Sequence, residues 1–259
     1  MSNVLLTATH GPITTLTLHR PEKRNALNVE LLEALGEGIR VAESEPTQRI
    51  LVLRGAGPAF CAGLDLVEAA TSAARAEGSA EHMQHALEQL ATTRLITIAA
   101  VHGAALAGGA GLMSACDFAL ATRETQFGYP EVRRGLVPAL VMTFLRRQLR
   151  ERDARELVLL GERFDAEKAR AIGLVNRVVA DGMALDAEVK AFTFSLLQGA
   201  PGAQAETKAL LRKLWPATLP DDLATARASH LGARYSREAE EGLNAYAEKR
   251  APDWAPGES

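Results

Sequence analysis

A run of 22 residues without a formal charge, Leu95 to Cys116, limits the folds that this chain can adopt. The run is long enough for a membrane-spanning helix. However, it contains four glycines and many alanines, with little Leu, Ile or Phe to drive insertion. A buried strand, a glycine turn and a buried helix account for the same residues. We therefore predict no membrane segment here.

Short apolar runs and helical patterns alternate along the first half of the chain. The continuous run Ile50–Leu53, closed by a Gly-Ala-Gly-Pro turn, is typical of a buried parallel strand. Asn28 is the predicted N-cap of a helix with apolar residues at helical spacing. Further predicted strands are a hairpin of Val4–Thr9 with Ile13–His19, then Ile96–Val101, Phe118–Ala121 and Val175–Val179. Predicted helices cover Met83–Ala91 and Gly109–Cys116, residues from about 139 onward, and a last helix opening at Ser236. The pattern predicts an α/β fold of strand–helix units followed by helices.

Composition excludes several classes of protein. Apolar residues make up 47% and charged residues 24%, as in ordinary globular chains. The net charge of −3 and the 5% aromatic content favour neither bulk nucleic-acid nor anionic-membrane binding. Two cysteines provide no disulfide framework, and the first ten residues carry no targeting signal. We expect a cytoplasmic protein.

The sequence contains no convincing motif for a metal ion or a dinucleotide. His82 and His85 lie three residues apart on a predicted helix, but no third ligand motif accompanies them, so we predict no metal site. The Gly55-Ala-Gly57 turn has Phe60 where a dinucleotide loop needs a third glycine. Residues 67–80 have little large apolar content and are predicted to form a mobile or peripheral segment.

Two glycine-containing loops each follow a predicted apolar strand. They are Phe60–Asp65 and His102–Gly111. Glycine leaves backbone N–H groups unshielded, and two N–H groups aimed at one point can stabilise an oxyanion. Tight packing between strand and helix would need the same small residues. The residues alone leave both interpretations open.

The chain resembles the enoyl-CoA hydratase/isomerase (crotonase) family over nearly its whole length. The resemblance rests on F-C-A-G-L-D (60–65), A-V-H-G-A-A-L-A-G-G-A (100–110), A-C-D-F-A-L-A-T (115–122) and F-G-Y-P-E-V-R-R-G-L-V-P (127–138). It implies a crotonase-like spiral of repeated ββα units, with an acyl-CoA-binding core at 1–195. A helical C-terminal region at 196–259 would cover the active site and build a homotrimer or a dimer of trimers.

The family resemblance also implies the site residues. The backbone N–H groups of Leu64 and Gly108 would form the oxyanion hole for an acyl-CoA thioester. No permanently bound cofactor is implied, since the substrate itself carries coenzyme A. The residues implied to contact CoA are Arg24, Ala26, Ala62, Gly63, Leu64, Asp65 and, by its place on the last helix, Lys249.

The sequence departs from simple enoyl-CoA hydratases at one of their two glutamates. Glu131 matches one of them, whereas Gly111 stands at the other position. A single carboxylate suits a hydratase–dehydratase, which we favour, a Δ3,Δ2-enoyl-CoA isomerase, or a decarboxylase. The wording G-A-G-L (109–112) resembles the branched glutaconyl-CoA hydratases of leucine and isoprenoid degradation.

A non-enzymatic binder of acyl-CoA or RNA is the alternative of a different class. A basic patch would comprise Arg146, Arg147, Arg150, Arg152 and Arg155. Glu151 and Asp153 interrupt it, which favours a solvated helix face over RNA binding.

Overall fold

The computed structural model describes residues 4–69, 72–214, 219–250 and 252. The strands within these residues are β1 Leu5–His10, β2 Ile13–Leu18, β3 Ile50–Gly55, β4 Ile96–Val101, β5 Ala104–Leu106, β6 Phe118–Thr122, β7 Gln126–Gly128, β8 Arg163–Phe164 and β9 Arg177–Val179. The helices in the described residues are α1 Val29–Ser44, α2 Leu66–Ala69, α3 Ala73–Thr92, α4 Gly108–Ala115, α5 Ala139–Gln148, α6 Glu151–Leu160, α7 Ala166–Ala171, α8 Gly182–Leu197, α9 Pro201–Leu214, α10 Leu219–Arg234 and α11 Arg237–Glu248. Two 3-10 helices span Pro21–Lys23 and Pro130–Arg134.

The main sheet has six strands in the order β1-β2-β3-β4-β6-β9. Only the predicted hairpin of β1 and β2 is antiparallel, and the other neighbours are parallel. Residues on one face of the sheet pack against α1, α3 and α4, and those on the other face against α8. Covering on both faces explains why β3 and β4 are continuous apolar runs.

The uncharged run Leu95–Cys116 forms β4, β5 and α4, so the predicted strand, turn and helix are confirmed. No helix in the described part of the chain has the length and apolar character needed to cross a membrane. The three-residue strand β5 was not predicted. It belongs to a second sheet of order β5-β7-β8, in which Ala104 pairs with Gln126. Strands this short leave no periodic signal in the sequence.

The helix predicted after Asn28 is confirmed in detail. The Asn28 side chain accepts a hydrogen bond of 3.0 Å from the N–H of Leu31 and so caps α1. The predicted apolar face is the buried face of this helix, namely Leu31, Leu32, Leu35, Ile39 and Ala42. Ser236 caps the last helix in the same way, through the N–H of Ala239.

The prediction of a mobile or peripheral segment at 67–80 was wrong for its second half. Residues 73–80 form the first turns of α3, and Ala76, Ser79 and Ala80 are buried. Helix α3 packs against α1, α4 and α10, and small side chains suit such close contacts. Low content of large apolar residues therefore does not indicate exposure here. Ala70 and Thr71 lie outside the described residues.

Candidate active site

A cavity of about 340 Å³ opens between two walls of the molecule. The first wall consists of residues 22–24, Ala26, Ala62 and residues 64–67. The second consists of Glu131, Arg134 and residues 136–141, with side chains from α10 and α11. Ala107, Gly108 and Met83 lie between them. The volume is in the range of small-molecule sites.

Leu64 lies on the first wall and is held there by backbone pairing with Leu27. It forms a parallel bridge with Leu27, in which Leu27 N donates to Gly63 O and Asp65 N donates to Leu27 O, both at 2.8 Å. Since successive N–H groups of an extended chain point to opposite sides, the N–H of Leu64 points away from Leu27. Leu64 also lines the cavity, as the predicted oxyanion role requires.

Gly108 is the first residue of α4, so its N–H has no partner within the helix. The preceding Ala107 has φ 49° and ψ −122°, a strained conformation for an L-residue. A 2.8 Å hydrogen bond from Ala107 N to Gly128 O holds this turn in place. Strain of this kind is concentrated at functional sites, and here it occurs immediately before Gly108, with both residues lining the cavity.

Gly63 brings the two loops together. Its φ is +95°, and a Cβ at this position would lie 2.9 Å from the Cβ of Ala107 and 3.3 Å from the N of Gly108. The residue is therefore required by conformation and by close approach. Gly63 was predicted as a CoA contact, but it does not line the cavity wall.

An ion pair beneath the first wall fixes its shape. Arg20 Nη2 lies 3.2 Å from Asp65 Oδ2, and Arg20 Nη1 donates to the carbonyl of Ala26. Asn25, fully buried with φ 55°, places its amide within hydrogen-bond distance of the carbonyls of Ala56, Ala59 and Phe60. Asp65 lines the cavity as predicted, but its carboxylate is already paired.

Replacement of Arg20 by Met is expected to lower the free energy of unfolding by about 2–4 kcal/mol, because it leaves Asp65 partly buried and unpaired. The Michaelis constant for a CoA thioester should rise, since the first wall loses its anchor. Urea unfolding and steady-state kinetics measure the two effects. Arg40→Met is the control, because the Arg40–Glu37 pair is exposed and should contribute little to stability. Equal stability of both variants would contradict the structural role of Arg20.

Glu131 lies on the 3-10 helix Pro130–Arg134, at the edge of the second wall. Its Oε2 atom is buried, and no described residue gives it a hydrogen-bond partner. Burial raises the pKa of this carboxyl to about 7, against the opposing effects of a backbone hydrogen bond and of Arg134. A carboxyl with a pKa near neutrality can both accept and return a proton.

Activity is expected to rise with pH through about pH 7, because the base form of Glu131 dominates only above its raised pKa. The same shift has the opposite effect on stability. Between its ordinary pKa of 4.5 and the raised pKa of about 7, the folded state holds a proton that the unfolded chain releases, so stability falls as pH rises. A pH profile of kcat/KM tests the first statement. An inflection near 4.5 would contradict the raised pKa.

Gly111 is covered by Val141 and does not line the cavity. A Cβ on Gly111 would lie 2.5 Å from the Cγ1 of Val141 and 3.4 Å from the Cε of Met83. Val141 itself lines the cavity. The position predicted for the missing second carboxylate is thus filled by an aliphatic side chain.

The remaining predicted residues separate into two groups. Arg24, Ala26 and Ala62 line the first wall. Lys249 ends α11 in a left-handed conformation, is exposed, and does not line this cavity.

The alternative sites gain no support from the structure. Arg150 and Arg155 of the predicted basic patch pair with Asp153 and Glu151, each at 2.7 Å, as expected for a solvated helix face. Within the described residues no group of three His, Cys, Asp or Glu side chains could hold a metal ion.

The sequence did not indicate several side chains of the second wall. Arg134, Val137 and Val141 come from the segment around Glu131, and His230, Arg234 and Tyr246 come from the two last helices. Arg134 belongs to the P-E-V-R-R motif at 130–134. The C-terminal residues reach the same cavity only because α11 packs beside this motif and α10 packs on α5.

Comparison with known proteins identifies the fold and the family of this chain. A crystal structure of an enoyl-CoA hydratase from Mycobacterium avium superposes with a TM-score of 0.86 at 34% identity, covering 98% of this chain and 100% of that one. The fold is therefore the crotonase fold. The sequence profile described as enoyl-CoA hydratase/isomerase matches residues 8–257.

Two relatives extend the comparison. A Thermus thermophilus protein, provisionally named an enoyl-CoA hydratase, is 37% identical over 93% of this chain and 97% of its own length. The carnitinyl-CoA dehydratase of Salmonella arizonae is 33% identical over 98% of this chain and 99% of its own length. The chain belongs to the enoyl-CoA hydratase/isomerase family. Its relatives indicate a hydro-lyase acting on CoA thioesters, a class that uses no permanently bound cofactor.

Proposed function

We propose that this protein hydrates an α,β-unsaturated acyl-CoA, or dehydrates the corresponding 3-hydroxy thioester, through an enolate held by the N–H groups of Leu64 and Gly108. The observation that supports the proposal is that Leu64 and Gly108 line one cavity with Glu131, whose carboxyl has a pKa of about 7 and an oxygen without a hydrogen-bond partner in the described residues. Backbone donors polarise the thioester carbonyl, and the carboxylate activates water.

The steps follow from the groups available. Glu131 takes a proton from water as the water oxygen bonds to C3, and the electron pair of the double bond moves onto the thioester oxygen. The enolate accepts hydrogen bonds from Leu64 and Gly108. Protonated Glu131 then returns its proton to C2 and regains its charge. Since Val141 covers the second carboxylate position, both proton transfers are assigned to Glu131.

A branched, glutaconyl-type acyl group is the substrate that we favour, on the resemblance of residues 109–112 and 131–139. The test is a paired assay with crotonyl-CoA and 3-methylglutaconyl-CoA, with products identified by mass. A water adduct from the branched substrate alone supports the proposal. The absence of an adduct from either substrate contradicts it.

The second candidate is a Δ3,Δ2-enoyl-CoA isomerase. The covering of Gly111 by Val141 favours it, because one carboxylate is enough to move a proton between C4 and C2. Conversion of a 3-enoyl-CoA without a mass change would identify this activity.

We further infer that the protein is cytoplasmic and assembles as a homotrimer or a dimer of trimers through the region 196–259. Helices α10 and α11 already contribute to the cavity wall, which supports a covering role for this region. Lys249, exposed at the end of α11, is assigned to the CoA phosphate of a neighbouring subunit. Light scattering of the purified protein tests the assembly, and a monomer would contradict it.

A further inference from the structure

Three basic side chains line the second wall of the cavity. Arg134 follows Glu131 by three residues on the 3-10 helix, whereas His230 and Arg234 are one helical turn apart on α10 and share a face. All three line the same cavity as Glu131 and Gly108. This basic cluster is not needed for the proton transfers proposed above.

Close backbone packing holds Arg134 in place. A Cβ on Gly242 of α11 would lie 2.5 Å from the carbonyl of Arg134, and a Cβ on Gly135 would lie 2.3 Å from the carbonyl of Glu238. The guanidinium of Arg134 lies 4.7 Å from the ring centroid of Tyr246. The position of this cation is therefore fixed by α11.

The basic cluster lacks a fully charged carboxylate partner in the described residues. Neither Arg134 nor Arg234 forms an ion pair there with a carboxylate within 4.0 Å. Asp65 is paired with Arg20, and burial raises the pKa of Glu131 to about 7, so this carboxyl carries only part of a negative charge near neutral pH. Burial also lowers the pKa of Arg234 and of His230. Since an unpaired cation is costly to bury, an anionic ligand group would stabilise this wall.

We propose that Arg134, His230 and Arg234 bind a carboxylate at the far end of the acyl chain, so that the substrate is the CoA thioester of an unsaturated dicarboxylic acid. The proposal rests on the proposed function and names its substrate class. The other anionic source is CoA phosphate, but Lys23 and Arg24 supply cations on the first wall, where CoA is assigned. A quaternary ammonium group, as in the carnitinyl substrate named for one relative, would be repelled by this cluster.

Equilibrium binding tests the basic cluster without turnover. Glutaryl-CoA and butyryl-CoA are saturated thioesters that differ in a terminal carboxylate, and calorimetry gives their Kd values. Arg234→Met should raise the Kd of glutaryl-CoA about 10- to 100-fold more than the Kd of butyryl-CoA, as expected for the loss of one charge-assisted contact. Arg133→Met is the matched control, because Arg133 is exposed and bonded to Leu160 O and Glu162. It should leave both Kd values unchanged.

Each other outcome overturns the proposal. An equal rise in the Kd of both thioesters would show that Arg234 binds the CoA part of the ligand. Unchanged Kd values would show that Arg234 binds neither the CoA nor the terminal carboxylate. Failure of the hydratase proposal is separate, because it appears as the absence of a water adduct in the turnover assay and leaves these Kd values as they are. Arg134→Met should show the same selective loss and, in addition, raise the pH at which activity sets in, since Arg134 favours the ionised form of Glu131.

Discussion

Replacement of Glu131 by Gln is expected to lower kcat for hydration by about 10²- to 10⁴-fold, the usual contribution of a general base. Glutamine keeps the size of the side chain but cannot accept the proton of water. Acyl-CoA binding should be retained, because the donors to the thioester carbonyl are the backbone N–H groups of Leu64 and Gly108. Stopped-flow absorbance and equilibrium titration measure turnover and Kd.

The matched control is Glu162→Gln, an exposed carboxylate paired with Arg133 outside the cavity. It should leave turnover unchanged. Bound crotonyl-CoA should still show a red-shifted enoyl-thioester absorbance in the Glu131→Gln variant, which reports polarisation by the backbone donors. Retained turnover in that variant would remove Glu131 from the mechanism.

Gly111→Glu restores the second carboxylate in sequence but is expected to destabilise the protein by about 3 kcal/mol or more. The new Cβ lies 2.5 Å from Cγ1 of Val141, a branched side chain with little rotamer freedom. A buried carboxylate without a partner adds to this cost. The single variant should therefore gain no crotonyl-CoA hydration. Urea unfolding and the crotonyl-CoA assay measure both effects.

The double variant Gly111→Glu with Val141→Ala tests whether the clash with Val141 causes this loss of stability. Removal of the Val141 methyl groups opens the space, so the double variant should recover stability relative to Gly111→Glu and hydrate crotonyl-CoA faster. Val141→Ala alone is the control for the cavity it creates. A single Gly111→Glu variant as stable as the wild-type protein would show that Val141 does not block the position.

Local signals predicted most of the fold. The cap at Asn28, the apolar face of α1 and the buried strands β3 and β4 each depend on a short stretch of sequence, and all were confirmed. The short strands β5, β7 and β8 were not predicted, because pairing between distant segments creates them. The buried small residues of α3 were misjudged for a similar reason, since their burial depends on the helices around them.

The site was predictable only where it lies within continuous motifs. Leu64, Gly108 and Glu131 come from three such motifs, and the structure places them around one cavity. The contacts of Asp65 with Arg20 and of Gly111 with Val141 depend on side-chain packing between separate elements. His230 and Arg234 reach the cavity because α10 packs on α3 and α5, which no local pattern encodes.

The proposed hydration mechanism is tested by letting the protein act on its α,β-unsaturated acyl-CoA in water enriched in heavy oxygen. The product is then analysed by mass. The wild-type protein should place one heavy oxygen atom on C3, and the Glu131→Gln variant should bind the same substrate without forming this product. Isomerised product without incorporated oxygen, or equal incorporation by the variant, would contradict the assignment of Glu131 as the base that delivers water.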